Sequence, residues 1–194
     1  MNNCRTRPVF IGSGFIREIT GFVKEIPAFV KENFVMKALF AGLLLLQFAM
    51  VGRAYCEEPM RLPVDAAQLV IITATGKVSY DVEVAETPEQ NEAGLMYRTD
   101  LPSDRAMLFV FPEKQIVTMW MANTPLPLDM IFLDDRGVIV SITENTIPYS
   151  TKIVSSHVFA KFTIEVNAGE VQKNRIKIGD RVFHPAICGA CKVD

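Results

Sequence analysis

The stretch Met119–Gly137, MWMANTPLPLDMIFLDDRG, decides how the surrounding chain folds. Residues 116–121 mix β-branched, aromatic and long apolar side chains, which is typical of a strand. The loop 123–127 must leave the sheet, because neither of its prolines can donate a ladder hydrogen bond. Residues 128–133 predict a second strand, followed by a turn in which Gly137 can adopt a positive φ and by a third strand.

Asp129 is a lone acid within the second of these strands. In a regular strand its side chain lies on the same face as Ile131 and Leu133. A carboxylate on an apolar face is costly unless it is paired or hydrogen-bonded. Two interpretations stay open. Asp129 either accepts hydrogen bonds from backbone N–H groups of the proline loop, or it lines a pocket together with Asn123 and Thr124.

Three ordered motifs in this part of the chain resemble a known family. They are E-x-T-P followed by G-L-M-Y-R, M-W-M-x-N-T-x-x-P-L-D-M-I-F-L-D, and I-E-V-N-A-G followed by G-D-x-V, from about Val78 to Val182. The pattern resembles the bacterial and archaeal family called domain of unknown function 192, although Ala106 stands where that family usually has Gly. The resemblance implies a compact, mainly β domain that is often exported, and it implies no established activity and no catalytic residues.

An export segment precedes this domain. Residues 36–54 begin with a basic residue and continue as an apolar run that is short for a membrane span. Gly52 and Ala54 supply small residues at the two positions that a signal peptidase reads. We predict cleavage near Ala54 and a periplasmic or secreted protein. The alternative is an uncleaved segment that anchors the protein in the inner membrane.

The segments on either side of the export signal are less informative. Residues 1–35 carry apolar residues at helical spacing, which is typical of an amphipathic helix on the inner membrane face. Alternatively, translation begins at Met36, or the extension is only a long leader. Residues 55–68 are polar and contain prolines, which predicts a linker that tethers the domain or is loosely ordered.

The charge of the exported part excludes one class of partner. Residues 55–194 contain 13 Lys and Arg and 19 Asp and Glu residues, a net charge near −6. Because this sequence lacks a basic patch with interleaved aromatic residues, we expect no nucleic-acid partner. We also expect no cofactor. The predicted partner is an unknown small molecule or an envelope protein, and membrane contact is expected only through the N-terminal segment.

The rest of the chain predicts the fold class. Apolar and polar residues alternate in several short segments between 69 and 183, most regularly in 158–166. Thr87, Pro88 and Gln90 form a helix-start signature for a helix to about Tyr97. The sequence therefore predicts a mainly β domain over 69–183, a sandwich or flattened barrel of about eight strands with one short helix, followed by a Cys-containing tail at 184–194.

Two details of that prediction bear on the site. Pro112–Gln115 predicts a turn between two strands, and Gly94 within the helix is expected to allow close approach to the sheet. Arg98 ends the predicted helix. Three roles stay open for it: it binds the carbonyl groups at the helix C-terminus, pairs with Asp129 or Glu165, or binds an anionic ligand through its planar fork. Glu165 lies on the polar side of its strand, which predicts a solvated partner of Lys161 or Thr163.

Three functions are compatible with these residues. The first is a periplasmic binding or accessory module with a pocket near Trp120, Asn123, Asp129 and Arg98. The second is a hydrolase that uses the carboxylates of Asp129 and Glu165 for acid–base chemistry. Neither histidine has an acid at catalytic spacing, and no nucleophile motif is present in the sequence. The candidate binding residues are Arg98, Trp120, Asn123, Thr124, Asp129 and Glu165.

The third function is the handling of a soft metal such as copper or zinc. The C-terminal tail carries His184, Cys188 and Cys191, a spacing that suits such a metal or redox chemistry in a reducing compartment. In an exported chain disulfides are favoured, so Cys56, Cys188 and Cys191 are disulfide candidates. Thioethers also suit Cu(I), but methionines more commonly fill gaps in cores. The relevant residues are Met96, Met107, Met119, Met121 and Met130.

Overall fold

The computed structural model describes residues 58–189. Seven strands form one sheet in the order β5-β4-β6-β3-β2-β1-β7. The strands are β1 (Leu69–Thr73), β2 (Gly76–Ala85), β3 (Arg105–Met119), β4 (Leu128–Leu133), β5 (Ile139–Thr143), β6 (Val154–Asn167) and β7 (Arg181–Phe183). The helices are α1 (Pro88–Ala93), α2 (Glu170–Asn174) and α3 (Pro185–Cys188). The prediction of a mainly β fold is confirmed.

The sheet curls into a half-barrel. Its neighbouring strands are antiparallel except β2 and β3, which are parallel and are therefore joined by a crossover that contains α1. The two edges approach each other where Val138, just before β5, forms a bridge with Arg181 of β7. The Val182 N–H donates to the Gly137 carbonyl in the same place, at 2.8 Å. Gly137 has a φ of 76°, as the predicted turn requires.

The predicted turn at Pro112–Gln115 is wrong, because β3 runs through it as one strand. The register against β6 shifts between Val110, opposite Phe162, and Gln115, opposite Ala160, so four residues of β3 bulge out against one of β6. Proline is tolerated at such a bulge, where its missing N–H breaks no ladder hydrogen bond. Two predicted strands thus become one, which is why the sheet has seven strands.

Both faces of the sheet carry an apolar core. Leu108 faces one core, whereas its neighbours Met107 and Phe109 face the other, because successive side chains alternate across a strand. The inner core includes Tyr80, Ile131, Ile164 and Val166 and is completed by α2 and α3. The outer core includes Leu95, Leu101, Met107, Phe109, Met121, Met130 and Phe132. The segments before and after β3 thus cover a face of the sheet that the alternation of apolar and polar residues alone predicts to be exposed to solvent.

Helix α1 forms part of that cover. Thr87 and Gln90 make the predicted capping box, with Pro88 at the first helical position. The helix ends at Ala93 and is shorter than predicted, since Gly94 takes a φ of 44°. A Cβ at Gly94 would lie 3.2 Å from the Phe109 ring. The prediction that Gly94 allows close approach to the sheet is confirmed.

Residues 60–65 make contacts that a loose linker would not make. The Met60 carbonyl accepts a hydrogen bond from Arg98 Nε at 2.8 Å, and Val64 pairs with Glu83. Within residues 58–189, none of the helices has the length and apolar character needed to cross a membrane. The predictions for the extension, the export segment, Cys56 and Cys191 lie outside the described residues.

Candidate functional site

A cavity of about 270 Å³ lies between α1, strand β3 and the loop that follows β3. Helix α1 and the residues after it form one wall, and the two halves of β3 on either side of the bulge form another. The cavity is lined by Asn91, Glu92, Ala93, Gly94, Leu95, Met96, Phe109, Phe111, Thr118, Met119, Trp120, Thr124 and Glu165. Of the six predicted binding residues, it brings together Trp120, Thr124 and Glu165.

Glu165 is the unusual residue of this cavity. Its side chain lies on β6, with Met107 and Met130 as its cross-strand neighbours, and the residue is only 4% exposed. Within residues 58–189, neither a hydrogen bond nor a neighbouring charge acts on its carboxyl group, which is affected by desolvation alone. Burial raises the pKa of Glu165 to about 8, because the low-dielectric surroundings disfavour the charged form.

The predicted solvated role of Glu165 is wrong. Alternation placed its side chain correctly on the face opposite Ile164 and Val166, but the outer core covers that face. Sequence alternation gives the direction of a side chain and says nothing about what lies above it. An ionisable group that is strongly perturbed by desolvation and lines a cavity is a candidate for function.

Trp120 stands at the open side of the cavity. It is the residue directly after β3 and is 45% exposed. Together with Phe109, Phe111, Met96 and Met119 it contributes aromatic and thioether surface to the cavity, beside the polar side chains of the lining. Ligand sites commonly combine such an apolar lining with a few polar groups.

Two residues with left-handed backbone hold the loops at this end of the cavity. Tyr97 has a φ of 62° and Asn123 a φ of 58°, and the Tyr97 N–H donates to the Asn123 carbonyl at 2.8 Å. Such conformations are uncommon outside glycine and persist where surrounding contacts hold them. Asn123 thus acts through its backbone, by fixing the loop that carries Thr124 and the segment that carries Met96.

Arg98 has a different partner from the predicted ones. Its guanidinium makes a bidentate pair with Glu83, with 2.7 Å between Nη1 and Oε1, and both side chains are buried. Burial alone would raise the pKa of Glu83, but the hydrogen bonds from Arg98 and the Leu62 N–H outweigh it and lower the pKa. The predicted pairing of Arg98 with Asp129 or Glu165 is therefore wrong. Arg98 Nε donates to the Met60 carbonyl and the Leu62 N–H donates to Glu83, so the buried pair holds residues 60–62 on the sheet. Arg98 is not part of the cavity wall.

Asp129 lies on the opposite face of the sheet from Glu165. It is fully buried, and its carboxylate accepts hydrogen bonds from the N–H groups of Asn145, Gly169 and Val171 at 2.8, 2.9 and 3.0 Å. It binds backbone N–H groups as predicted, but those of two other segments and not of the proline loop. Asp129 does not line the cavity beside Trp120 and Glu165. Because their side chains point to opposite faces, the two carboxylates cannot act on one substrate as the hydrolase prediction requires.

Of the C-terminal candidates, His184 and Cys188 lie within the described residues. His184 caps α3: its Nδ1 accepts from the Ala186 N–H at 3.2 Å, and its Nε2 lies 3.2 Å from the Ala67 carbonyl oxygen. Burial lowers the pKa of His184, although nearby Asp65 opposes this, so the ring is neutral at pH 7. Within the described part of the chain, no group of three or more His, Cys, Asp or Glu side chains could hold a metal ion.

Cys188 is disulfide-bonded, and the other cysteine of that bond lies outside residues 58–189. Its Sγ lies 3.1 Å from the His184 carbonyl oxygen. This is a contact and not a hydrogen bond, because a disulfide sulfur carries no proton. The connectivity among Cys56, Cys188 and Cys191 stays a prediction.

Sequence reasoning missed the wall that α1 and the first half of β3 provide. Asn91 donates through Nδ2 to the Val110 carbonyl at 3.1 Å, whereas its Oδ1 is buried without a partner in the described residues. Phe109 and Phe111 read as ordinary strand residues. The sequence feature that could have indicated this wall is Gly94. A glycine at this position lets the end of α1 lie close to the sheet, and this brings the side chains of α1 next to those of β3.

Several known proteins are similar to this chain. Residues 70–184 match the family described as DUF192, uncharacterized ACR. A proposed transcription regulator from Sinorhizobium meliloti 1021 is 39% identical, with a TM-score of 0.62 over 66% of this chain and 99% of that chain. A protein of unknown function from Novosphingobium aromaticivorans DSM 12444 is 28% identical, with a TM-score of 0.60 over 66% and 94% of the two chains. No curated protein matches the chain.

Proposed function

The chain belongs to the DUF192 family, and we propose that it is an exported binding module that holds a small molecule in the cavity beside Trp120 and Glu165. The observation that carries this proposal is the unpartnered carboxyl group of Glu165, which is buried and yet lines a cavity. Buried polar groups normally have hydrogen-bond partners. A carboxyl group without one in an apolar core lowers stability, so its presence is best explained by a ligand that supplies the partner.

The shape and lining of the cavity support the same proposal. A volume of about 270 Å³ is close to the lower end of the roughly 300–1,000 Å³ that is usual for ligand pockets. The aromatic and thioether side chains around it offer apolar contact area, and Glu165 offers a polar group at a defined position. This arrangement can recognise a small molecule with one polar group and an apolar body.

Two features support export. Residues 36–54 have the basic start, apolar run and small residues of a signal peptide. Cys188 is disulfide-bonded, and disulfides persist mainly in oxidising compartments such as the periplasm. The net charge near −6 of residues 55–194 favours a partner other than a nucleic acid, whose phosphates attract basic proteins.

Native mass spectrometry of the full chain, purified without denaturant, tests the binding function. We expect an additional organic mass on the folded protein and no such mass after denaturation. Ala93 of α1 lines the cavity, so Ala93→Phe should fill it and remove the bound mass. Ala66 is exposed and outside the wall, so Ala66→Phe is the matched control that should retain the mass.

Two results would contradict the proposal. One is a folded wild-type protein without any bound mass that also fails to take up small molecules from a fragment mixture. The other is an undiminished bound mass in a folded Ala93→Phe protein, which would place the ligand elsewhere. Circular dichroism of each variant establishes that it is folded.

A further inference from the structure

The charge of the cavity wall is one-sided. Its ionisable residues are Glu92, which is exposed on α1, and Glu165, which is buried on β6. The lining contains no Lys, Arg or His among the described residues. The nearby cation Arg98 is already neutralised by its bidentate pair with Glu83. An anionic ligand would therefore find no cation in this wall, whereas a cationic ligand would find a carboxyl group that has no cation beside it and that it can ionise.

The hydrogen-bonding atoms that lack partners in this wall are oxygens. Glu165 offers two carboxyl oxygens, and the Oδ1 atom of Asn91 is also unpartnered in the described chain. Two donors beside them are already used, since Asn91 Nδ2 donates to the Val110 carbonyl and the Thr124 hydroxyl donates to the Ala122 carbonyl. A ligand that brings donors of its own can satisfy these oxygens.

The aromatic residues fit the same ligand chemistry. Phe109, Phe111 and Trp120 all border the cavity. The faces of aromatic rings attract cations, most strongly when the cation is shielded from water. Met96 and Met119 add polarizable apolar surface for the remaining part of a ligand.

We propose that the ligand is a small organic cation, a primary amine with an apolar body, whose ammonium group lies against Glu165. This inference rests on the proposed binding function. The ammonium group supplies both a positive charge and three N–H donors, so it satisfies the carboxyl oxygens that the protein leaves without partners. Binding then favours the ionised form of Glu165, and the proton that the empty site holds passes to solvent.

A matched series of probes tests the charge of the ligand. 2-Phenylethylamine, 2-phenylethanol and 3-phenylpropanoate share an aromatic body and differ in carrying a positive, neutral or negative group. Trp120 is the single tryptophan of the chain and borders the cavity, so its fluorescence reports occupancy directly. The full chain is titrated with each probe up to about 10 mM, which covers the millimolar affinities expected of very small ligands.

We expect the amine to bind at least about tenfold more tightly than the alcohol, and the carboxylate to bind most weakly. Glu165→Gln keeps the size of the side chain and removes its charge, so it should abolish this preference for the amine. Glu86→Gln is the control, because this exposed acid lies outside the cavity wall and should change the amine affinity by less than about threefold.

The outcomes separate the two proposals. If the alcohol or the carboxylate binds as tightly as the amine, the cation inference is wrong, while the cavity remains a binding site. The inference also fails if the preference for the amine persists in Glu165→Gln. If Trp120 responds to none of the three probes, the cation inference is wrong, while the proposed binding function is decided separately by native mass spectrometry.

Discussion

Asp129 and Glu165 are buried acids on neighbouring strands that have opposite surroundings. Asp129 faces the inner core and accepts hydrogen bonds from three backbone N–H groups. Glu165 faces the outer core and has no hydrogen-bond partner among residues 58–189. The difference teaches that burial alone does not define the role of an acid. A buried carboxylate that accepts several hydrogen bonds holds segments of the fold together. A buried carboxyl group that accepts none is a candidate for ligand binding.

The largest expected effect comes from removing Asp129, the acid that accepts three backbone hydrogen bonds. Asp129→Ala leaves the N–H groups of Asn145, Gly169 and Val171 buried without their acceptor. We expect the free energy of unfolding to fall by about 4–6 kcal/mol, measured by urea denaturation. The control Asp135→Ala removes an acid whose partner Lys114 is exposed, and its effect should be far smaller because solvent screens such a pair. Similar losses in both variants would show that the three hydrogen bonds contribute little.

The next effect concerns a buried acid that is saturated by a cation. Arg98→Ala leaves the Glu83 carboxylate buried without its bidentate partner and releases the Met60 carbonyl. We expect a loss of about 3–5 kcal/mol in unfolding free energy. Arg61 and Asp100 form an ion pair that is exposed, with 57% and 62% of the side chains accessible, so Arg61→Ala should cost under about 1 kcal/mol. A destabilisation of Arg98→Ala no larger than this control would contradict a structural role for the buried pair.

Glu165 should make stability depend on pH in the opposite sense to a saturated acid. Its pKa is about 8 in the folded protein, whereas the unfolded chain has the ordinary glutamate pKa of 4.5. Below pH 4.5 both states are protonated and the side chain is neutral. As pH rises from 4.5 to about 8 the unfolded chain releases this proton and the folded chain retains it, so stability falls by about 1.4 kcal/mol per pH unit.

Glu165→Gln tests this dependence, because glutamine has the same size and no charge to bury. Wild type and variant should have similar unfolding free energies near pH 4.5, and the variant should be more stable by roughly 3 kcal/mol at pH 7. Urea denaturation at several pH values measures the difference. Thr163→Val is the control, since it changes a buried residue on the same side of β6 without removing a titratable group. A difference between wild type and Glu165→Gln that is constant with pH would contradict the raised pKa.

The smallest expected effect concerns the helix end that covers the Glu165 side of the sheet. Gly94→Ala places a Cβ 3.2 Å from the Phe109 ring at a φ of 44°, and we expect a loss of about 2 kcal/mol in unfolding free energy. Gly179→Ala shares a positive φ of 96°, but no atom lies within 4 Å of its Cβ. The excess cost of Gly94→Ala over this control measures the contact with Phe109. Equal costs would mean that close packing of α1 on β3 is unimportant.

Several local features were predictable because they depend on neighbours in sequence. The capping box at Thr87 and Gln90, the turn at Gly137 and the direction of Asp129 follow from hydrogen bonds and alternation within a few residues. The resemblance to the family is confirmed by the match over residues 70–184. The merging of two predicted strands into β3 was not predictable, because a bulge depends on the register of the partner strand β6.

The candidate site was only partly predictable, for a similar reason. Trp120, Thr124 and Glu165 are predicted binding residues that line the cavity, and their binding role stays a prediction. The partner of Arg98 was missed, because the alternating sequence of β2 predicts that the Glu83 side chain is exposed to solvent. Asn91, Phe109 and Phe111 were missed because their common feature is position around one cavity, and sequence spacing carries no such information.

The sequence by itself determined the fold class, the start of α1, the turn at Gly137 and the faces to which Asp129 and Glu165 point. These properties follow from short-range sterics, hydrogen bonding and the two-residue period of a strand. Only the tertiary structure decided that both faces of the sheet are covered and which buried acid received donors. Those outcomes depend on segments far apart in the chain: residues 145, 169 and 171 converge on Asp129, whereas an apolar cover formed over Glu165 and brought it no hydrogen-bond donor.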